Sequence, residues 1–229
     1  MIIQGQVGPQ SGNTSLGAGT NPSMRQGQLG EVIVSELHGL YYEQTYRGNL
    51  FSTGQTAPAA LTSTNQIGTL TASCTPILGL WNPINNTNNV VLLKANLQVM
   101  ANNLTSGAAP GAFVWAVSVN NSGITTGGTP WNRKSLTQQG SQVKTFTGTT
   151  ALTGLSNNLV VMETADFNTM GAVTYTTLGS TTLQPSVGGI QLFEGGLIVP
   201  PGGVIALLNT TTATAFSVAG KLLWEEVPL

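Results

Sequence analysis

Side chains able to perform acid–base or nucleophilic chemistry are scarce in this chain. Its 229 residues include one His, one Cys and 8 Asp or Glu. A Ser/His/acid triad needs an imidazole that is oriented by a carboxylate. His38 is the single candidate base, with Glu36 two residues before it. The pair by itself supplies no nucleophile, so we interpret His38 as a histidine at a strand end or turn.

Two carboxylate pairs are close enough in sequence to raise the question of glycoside hydrolysis, which uses two carboxyl groups about 5–10 Å apart. Glu225 and Glu226 are neighbours in a β-type run, so their side chains are expected to point to opposite faces. Glu163 and Asp166 lie where a strand run gives way to a turn, in which Asp166 is expected to cap backbone amides. We therefore predict no catalytic residue and no enzymatic activity.

Metal and cofactor sites are not predicted either. Calcium prefers loops rich in carboxylates, and the chain has no Asp-rich loop. Cys74 has no second cysteine with which to form a disulfide, and we interpret it as a half-buried thiol on a strand. We expect no bound metal and no cofactor.

Charge is low along the whole chain. Only 7% of the residues are charged and the formal net charge is −1, whereas an ordinary soluble domain has about 25% charged residues. Proteins that bind nucleic acids cluster Lys and Arg against phosphates, but here Arg133-Lys134 is the one adjacent basic pair. No apolar run approaches the roughly 18 residues that span a bilayer, and the N-terminus lacks the pattern of a signal peptide. We expect neither a nucleic-acid partner nor a membrane partner, and synthesis in the cytoplasm.

The four tryptophans leave two interpretations open, an aromatic platform for sugars or parts of the core. Trp115 and Trp224 lie on apolar faces of strand runs and are predicted to be core residues. Trp81 and Trp131 lie in loop-like sequence, and a basic pair follows Trp131 closely. An exposed Trp beside basic residues is typical of a contact with a protein partner, with packing under a loop as the alternative. The predicted assembly contacts are Arg25, Trp131, Arg133 and Lys134.

The segments that must position these side chains have the two-residue period of β-strands. In residues 90–100, Val91, Leu93, Ala95, Leu97 and Val99 are predicted to share the buried face. Strands are also predicted at 31–37, 40–47, 67–72, 77–81, 112–119, 143–147, 159–162, 172–178, 190–199, 204–208 and 215–224. Frequent Gly, Pro, Thr and Asn leave little room for helices. The pattern predicts an all-β antiparallel sandwich of jelly-roll type.

Residues 1–30 differ from the rest, since they hold seven glycines, scattered apolar residues and the single charge of Arg25. We predict an extended N-terminal arm over 1–30 that lies on another surface, with plain disorder as the alternative. The β-sandwich domain is predicted to occupy residues 31–229.

The C-terminal segment carries a resemblance to a known class of proteins. Leu197-Ile198-Val199 runs into Pro200-Pro201-Gly202-Gly203, which predicts a tight hairpin, and Gly220 in the closing strand is interpreted as a bulge. Combined with the Gly/Gln-rich arm, the charge-poor Thr/Asn-rich body and the closing Lys-Leu-Leu-Trp-Glu-Glu, this resembles virion proteins of tailed bacteriophages. The chain is most similar to their jelly-roll capsid cement, or decoration, proteins.

The resemblance implies a structural role. It implies a homotrimer on the capsid exterior that binds the major capsid protein and stabilises the head, after synthesis in the host cytoplasm. The alternative is a receptor- or carbohydrate-binding β module of a phage head fibre or tail. A glycoside-cleaving β protein is a third interpretation, which the carboxylate spacing disfavours.

Overall fold

The computed structural model describes residues 40–54, 58–61, 73–101, 111–148, 150–167, 186–210 and 213–229. The chain divides into two compact units after Tyr42, and every described strand belongs to the second unit, Glu43–Leu229. The predicted arm, the predicted domain boundary after residue 30 and the predicted strands at 31–37, 67–72 and 172–178 lie outside the described residues. His38 and Arg25 lie outside them as well.

The described chain is built from antiparallel strands and one short helix, which confirms the predicted all-β sandwich class. The elements are α1 (Tyr42–Arg47), β1 (Leu50–Gly54), β2 (Ala59–Leu61), β3 (Ser73–Cys74), β4 (Leu78–Trp81), β5 (Asn88–Ala101), β6 (Phe113–Ser118), β7 (Trp131–Asn132), β8 (Lys144–Thr147), β9 (Leu152–Thr153), β10 (Val160–Thr164), β11 (Ser186–Val199), β12 (Val204–Asn209) and β13 (Ala213–Pro228).

Two large sheets pack against each other. The outer sheet has the strand order β11-β5-β13-β1-β7, with β2 also paired to β13. The central sheet has the order β10-β6-β12-β4-β8, and β3 and β9 form a separate small pair. Consecutive strands alternate between the two large sheets from β10 to β13. The sheets are therefore joined by several crossing connections.

The middle strands of the central sheet, β6, β12 and β4, are buried on both faces, which explains their apolar runs, whereas β10 at the edge is exposed. On β12, Ile205 and Leu207 belong to the cluster between the two large sheets, whereas Val204, Ala206 and Leu208 belong to a second cluster on the opposite face. That second cluster is completed by residues of β3, β9 and the connecting loops. A strand with two buried faces needs apolar residues at every position, so it loses the polar alternation of a half-buried strand.

Strand β5 reverses its alternation at a bulge, and here the predicted pattern is wrong in part. Its last residues alternate as predicted, but Val90 and Leu92, rather than Val91 and Leu93, belong to the cluster between the sheets. Leu93 is buried as predicted, outside that cluster, and Val91 is only partly buried. The pairing of β5 with β13 skips Leu93, so one extra residue stands against the partner strand. A bulge of this kind shifts the following side chains to the other face. Periodicity along one strand cannot reveal it, because the bulge is defined by the neighbouring strand.

The predicted strand at 40–47 is also wrong, since this segment forms a turn and helix α1. The helix ends in a glycine motif in which Gly48 has φ of 84°. The N–H of Gly48 donates to Thr45 O and that of Asn49 donates to Gln44 O, both at 3.0 Å. This pair of bonds is the Schellman arrangement that terminates helices at glycine. Gly48 is therefore a helix stop.

The Pro-Pro-Gly-Gly connection is tight, as predicted, but it is not a hairpin. Gly203 N–H donates to Pro200 O at 2.8 Å, and Gly202 has φ of 80°, a conformation that favours glycine. The strands on either side, β11 and β12, belong to different sheets. The segment is therefore an arch across the sandwich, and sequence adjacency alone suggested the hairpin.

Gly220 serves close packing between the sheets, so its interpretation as a bulge is wrong. Residues before and after it pair with β5 in regular register. It lies in the buried row of β13 between Val218 and Leu222. A Cβ placed there would lie 2.7 Å from Leu78 Cδ1 on the facing sheet. Only glycine leaves room for Leu78 at this position.

Candidate functional site

The carboxylates considered for catalysis do not face a common substrate. Glu226 is buried, and its Oε1 accepts hydrogen bonds from Ser141 Oγ and, at 3.4 Å, from Trp224 Nε1. Glu225 is partly exposed on the other face, as predicted, with Arg47 nearby. Burial raises the pKa of Glu226, and hydrogen bonds from Ser141, Trp224 and Asn88 oppose the rise. Glu226 thereby ties β13 to the loop before β8.

The second carboxylate pair belongs to a hydrogen-bond network around Gln191. Gln191 Oε1 accepts from Trp115 Nε1 at 2.7 Å and from the backbone N–H of Asp166 at 3.2 Å. Its Nε2 donates to Glu163 Oε1 at 3.5 Å. The expected capping by the Asp166 carboxylate is not seen among the described residues. The network ties β10 to β11 across the sandwich.

Three of the four tryptophans are core residues. Trp115 and Trp224 are fully buried, as predicted, and Trp224 stacks on Phe51. Trp81 is also buried at the end of β4, where its Nε1 donates to Asn121 O at 3.2 Å, so its loop assignment is wrong. Trp131 differs from them, because 49% of its surface is exposed. Trp131 is therefore the one tryptophan exposed enough to stack against a sugar, because the other three are buried.

Burial and spacing decide the roles of Cys74 and of possible metal ligands. Cys74 on β3 is fully rather than half buried, and burial raises the pKa of its thiol to about 12. Such a thiol is an unreactive core group. Within the described ranges, no three His, Cys, Asp or Glu side chains come together as ligands for a metal ion.

The loop that carries Trp131 is organised by Asn132. The Oδ1 atom of Asn132 accepts from the backbone N–H groups of Lys134 at 2.9 Å and Ser135 at 3.2 Å. Its Nδ2 donates to Gly48 O at 2.8 Å, just after α1. Asn132 is buried while Trp131 before it is exposed, as alternation on β7 requires. Nothing in the sequence marks Asn132 as important, because it lies between the more conspicuous Trp131 and Arg133.

The structure separates the predicted basic pair. Lys134 Nζ lies over the ring of Tyr46 on α1, 5.2 Å from its centroid, so the cation is engaged within the protein. Arg133 instead lines a depression of about 270 Å³ together with Trp131, Leu136 and Lys221. Trp131 and Arg133 therefore belong to one surface, and Lys134 contacts another element.

A second depression, of about 480 Å³, adjoins the first at Lys221. Its lining includes Asn96, Gly188, Ile190 and Ala219. In the strand pairing, Ile190 stands opposite Asn96, Asn96 opposite Lys221, and Lys221 opposite Gly54. We call the two joined depressions the outer-sheet trough. Its six defining residues are Gly54, Asn96, Trp131, Arg133, Ile190 and Lys221.

The trough is electropositive. Lys94 lies on the same face, two residues before Asn96 and diagonal to Lys221, a separation of about 7–8 Å in antiparallel sheets. Burial lowers the pKa of Lys221, and the charges of Arg133 and Lys94 lower it further. Lys94, Arg133 and Lys221 form no ion pair with another residue that the structure describes. In a chain with so few charges, three cations that lack an ion-pair partner within the described ranges are a distinct feature of this face.

The trough also holds an unsatisfied acceptor. Asn96 Oδ1 is buried and has no hydrogen-bond donor among the described residues. Buried amide oxygens are nearly always paired, so an unpaired one is an exception. In the sequence, Lys94, Asn96 and Lys221 stand out only as polar positions of strands. Their juxtaposition depends on the register between β5 and β13, which single-strand patterns do not contain.

One edge of the sandwich exposes apolar side chains along two neighbouring strands. On β10 these are Val160, Val161 and Met162, and on β11 they are Ile190, Leu192 and Ile198. Each of them is the last described strand of its sheet, and the bond from Gln191 to Glu163 places them side by side. We call these six residues the apolar edge.

Comparisons with protein-family models, with curated proteins and with solved structures found no match to this chain. Of the described helices, none has the length and apolar character needed to cross a membrane.

Proposed function

We propose that this protein is a structural component of a bacteriophage virion, a capsid cement protein that binds the outside of the head and stabilises it. The proposal rests on the sequence resemblance to decoration proteins and on one structural observation, the apolar edge. Open edge strands offer unpaired N–H and C=O groups, and exposed apolar patches mark contact surfaces. Both features are expected in a protein that assembles with other subunits.

The occupants we propose for such contacts are sister subunits, in a homotrimer, and the major capsid protein. The low charge of the chain suits this role, because contacts made by backbone, Thr, Asn and apolar groups are screened little by salt. The finer jelly-roll class is part of the same proposal. The alternation of β10, β11 and β12 between two sheets supports it, since jelly rolls are double-sheet barrels of this kind.

The test measures survival of capsids with and without the protein. A partner that binds only the assembled shell stabilises it by mass action. Capsids that carry the protein should survive heating or osmotic shock better than bare capsids, and the difference should persist at high salt. Equal survival would remove the cement role.

A receptor- or carbohydrate-binding module is the second candidate function. The observation that favours it is the outer-sheet trough, where the half-exposed Trp131 lies beside Arg133 and Lys221, which form no ion pair with any described residue.

A further inference from the structure

We propose that copies of this protein assemble head to tail, with the apolar edge of one copy against the β7 loop, residues 131–137, of a sister subunit. The inference rests on the proposed assembly role, for which it names the two surfaces that meet. Three observations carry it. The two surfaces lie at opposite ends of the sandwich, the two ends carry opposite charges, and the loop holds an exposed apolar side chain in a strained backbone conformation.

The two surfaces lie far enough apart for one copy to use both at the same time. In the outer sheet, β11 is the last described strand at one end and β7 is the last at the other, four strand spacings or about 19 Å away. In the central sheet, β10 and β8 hold the corresponding places. The bridge between Gly128 and Thr145 joins the segment before β7 to β8, as the bond from Gln191 to Glu163 joins β11 to β10.

The two ends carry opposite charges. Strands β10 and β11, with the three residues after β10, include the exposed Glu163 and Asp166 and no Lys or Arg. The residues of β7, its loop and β8 include Arg133, Lys134 and Lys144 and no Asp or Glu. Arg133 and the carboxylates of Glu163 and Asp166 form no ion pair inside the described part of the chain. Opposite charges across an interface guide association and fix its orientation, so a sister subunit supplies the partner at each end.

The β7 loop holds Leu136 in water at a cost. Its backbone has φ of 57°, a left-handed conformation that residues other than glycine rarely adopt, and 70% of the residue is exposed. Two bonds fix the loop, from Asn132 N–H to Thr137 O at 2.8 Å and from Leu136 N–H to Asn132 O at 3.0 Å. Strained residues often mark functional surfaces, and interface hot spots are enriched in Trp and Arg. The loop therefore presents Trp131 and Leu136 in a fixed geometry before a partner binds.

A contact between two like surfaces fits less well. In such an isologous contact the same surface of both copies meets, so Glu163 and Asp166 would face their own counterparts. The same repulsion applies to Arg133 in a contact between two β7 loops. Like charges across an interface oppose binding. Head-to-tail contacts avoid this repulsion, and they close into a ring when the rotation between neighbours permits. The trimer of the proposed function is such a ring.

The test mixes two variants of the full chain that each keep one of the two surfaces, with native mass spectrometry as the readout. The edge variant, Val160→Lys, adds a cation to the apolar edge and keeps the β7 loop. The loop variant, Trp131→Ser with Leu136→Gly, removes two exposed apolar side chains from the loop and keeps the apolar edge. At concentrations well above those that assemble wild type, each variant alone should be monomeric. Their equimolar mixture should form a one-to-one heterodimer, because one junction of the ring can still form.

Two controls accompany the mixture. Val160→Lys mixed with Ile198→Lys combines two altered apolar edges and should stay monomeric. Ile84→Ser, which removes an exposed apolar side chain in the turn between β4 and β5, should assemble as wild type does. A loop variant that assembles by itself overturns the inference in favour of a contact between like edges. A monomeric wild type, or a mixture that stays monomeric, also overturns it.

Charge reversal tests the orientation of the contact. Arg133→Glu and Asp166→Lys should each weaken association at least about tenfold, the loss of one charged hydrogen bond in affinity terms. Both substitutions in one chain restore opposite charges at every junction, so the double variant should regain most of the lost affinity. Additive weakening in the double variant overturns the head-to-tail orientation.

Stability measurements separate a contact role of Leu136 from a structural one. Glycine adopts the backbone conformation of Leu136 freely, so Leu136→Gly should weaken association without lowering the melting temperature of the monomer below that of the edge variant. A lower melting temperature would show that Leu136 serves the fold and would remove the strain argument from the inference.

Capsid survival separates this inference from the cement role. If the mixture forms heterodimers but capsids survive equally with and without the protein, the head-to-tail contact stands and the cement role fails. If the protein protects capsids while the loop variant assembles by itself, the cement role stands and the head-to-tail contact fails.

Discussion

At the scale of single residues, burial governs the ionisable groups of this protein more than ion pairing does. The main cause of the raised pKa of Cys74, to about 12, is its burial. The same cause raises the pKa of Glu226 and lowers that of Lys221. Cys74 and Glu226 are both buried, Cys74 as a packed group and Glu226 as a hydrogen-bonded one. Lys221 lies in an open trough, where a ligand can compensate its charge.

The raised pKa of Glu226 makes a prediction about the pH dependence of stability. The folded protein holds this proton more tightly than the unfolded chain, whose carboxyl has the ordinary pKa of 4.5. The contribution of Glu226 is therefore full below that value and is lost as pH rises through its folded-state pKa. Glu226→Gln keeps an acceptor for Ser141 and removes the charge. We expect a higher melting temperature than wild type at pH 7 and convergence of the two in acid.

The control is Glu194→Gln, which neutralises an exposed carboxylate on β11. Its melting temperature should stay close to that of wild type both at pH 7 and in acid. A wild type more stable than Glu226→Gln at pH 7 would mean that the hydrogen bonds of the carboxylate outweigh the penalty of its burial.

At the scale of elements, buried asparagines fix the loops that join the two sheets. Asn82 Nδ2 donates to Val199 O at 3.0 Å, and Gly202 N–H donates to Asn82 O at 2.7 Å. Asn121 accepts from the N–H of Ser156 at 2.9 Å through its Oδ1. Both asparagines are fully buried. The Asn-rich composition indicates a neutral surface. Some of these asparagines are instead buried and hold the loops through hydrogen bonds.

The contact between β13 and β4 predicts a specific cost for a side chain at Gly220. Its Cβ would lie 2.7 Å from Leu78 Cδ1, and Leu78 is fully buried. Overpacking of a close-packed core costs about 1–3 kcal/mol, so Gly220→Ala should lower the free energy of unfolding by that amount. Chemical denaturation measures it.

Gly188→Ala is the matched control, because the nearest atom to its Cβ is Leu97 O at 3.6 Å, an ordinary contact. It should change stability little. In the double variant Gly220→Ala with Leu78→Val, the costs should not add, since the smaller side chain relieves the contact. Strict additivity would show that Gly220 is required for some reason other than Leu78.

At the scale of the whole molecule, the outer-sheet trough and the apolar edge are two different kinds of surface. The trough is a concave surface lined by Arg133, Lys221 and Trp131. The apolar edge combines the last described strands of two sheets with exposed Val, Ile, Leu and Met, and we propose it as the contact with a protein neighbour. The two surfaces share Ile190. Substitutions at their other residues can test each surface separately.

The proposed assembly role predicts that charge on the apolar edge disrupts oligomers. Val160→Lys on β10 and Ile198→Lys on β11 place a cation where an edge would pair with a neighbour, a device that blocks edge-to-edge pairing. We expect wild type to form a trimer in native mass spectrometry and each variant to form monomers. Ile84→Lys, an exposed apolar residue in the turn between β4 and β5, is the control and should remain trimeric. A monomeric wild type would count against the assembly role.

The sequence by itself determined the class of the fold, since two-residue periodicity and abundant Gly, Pro and Thr favour strands over helices. It also determined that Trp115 and Trp224 are core residues, because they lie in apolar rows of their own strands. These conclusions need only local information. The continuous apolar run of β12 is likewise typical of a strand that is buried on both faces.

Tertiary structure alone decided what depends on neighbours. The bulge at Leu93 exists only relative to β13, and the arch after Val199 exists only because its strands join different sheets. The trough depends on the strand register that places Asn96 opposite Lys221. These two residues lie 125 positions apart in the sequence, as 221 minus 96 gives. A sequence pattern specifies which face of a strand a side chain takes. Packing between strands distant in sequence specifies which side chains then share that face.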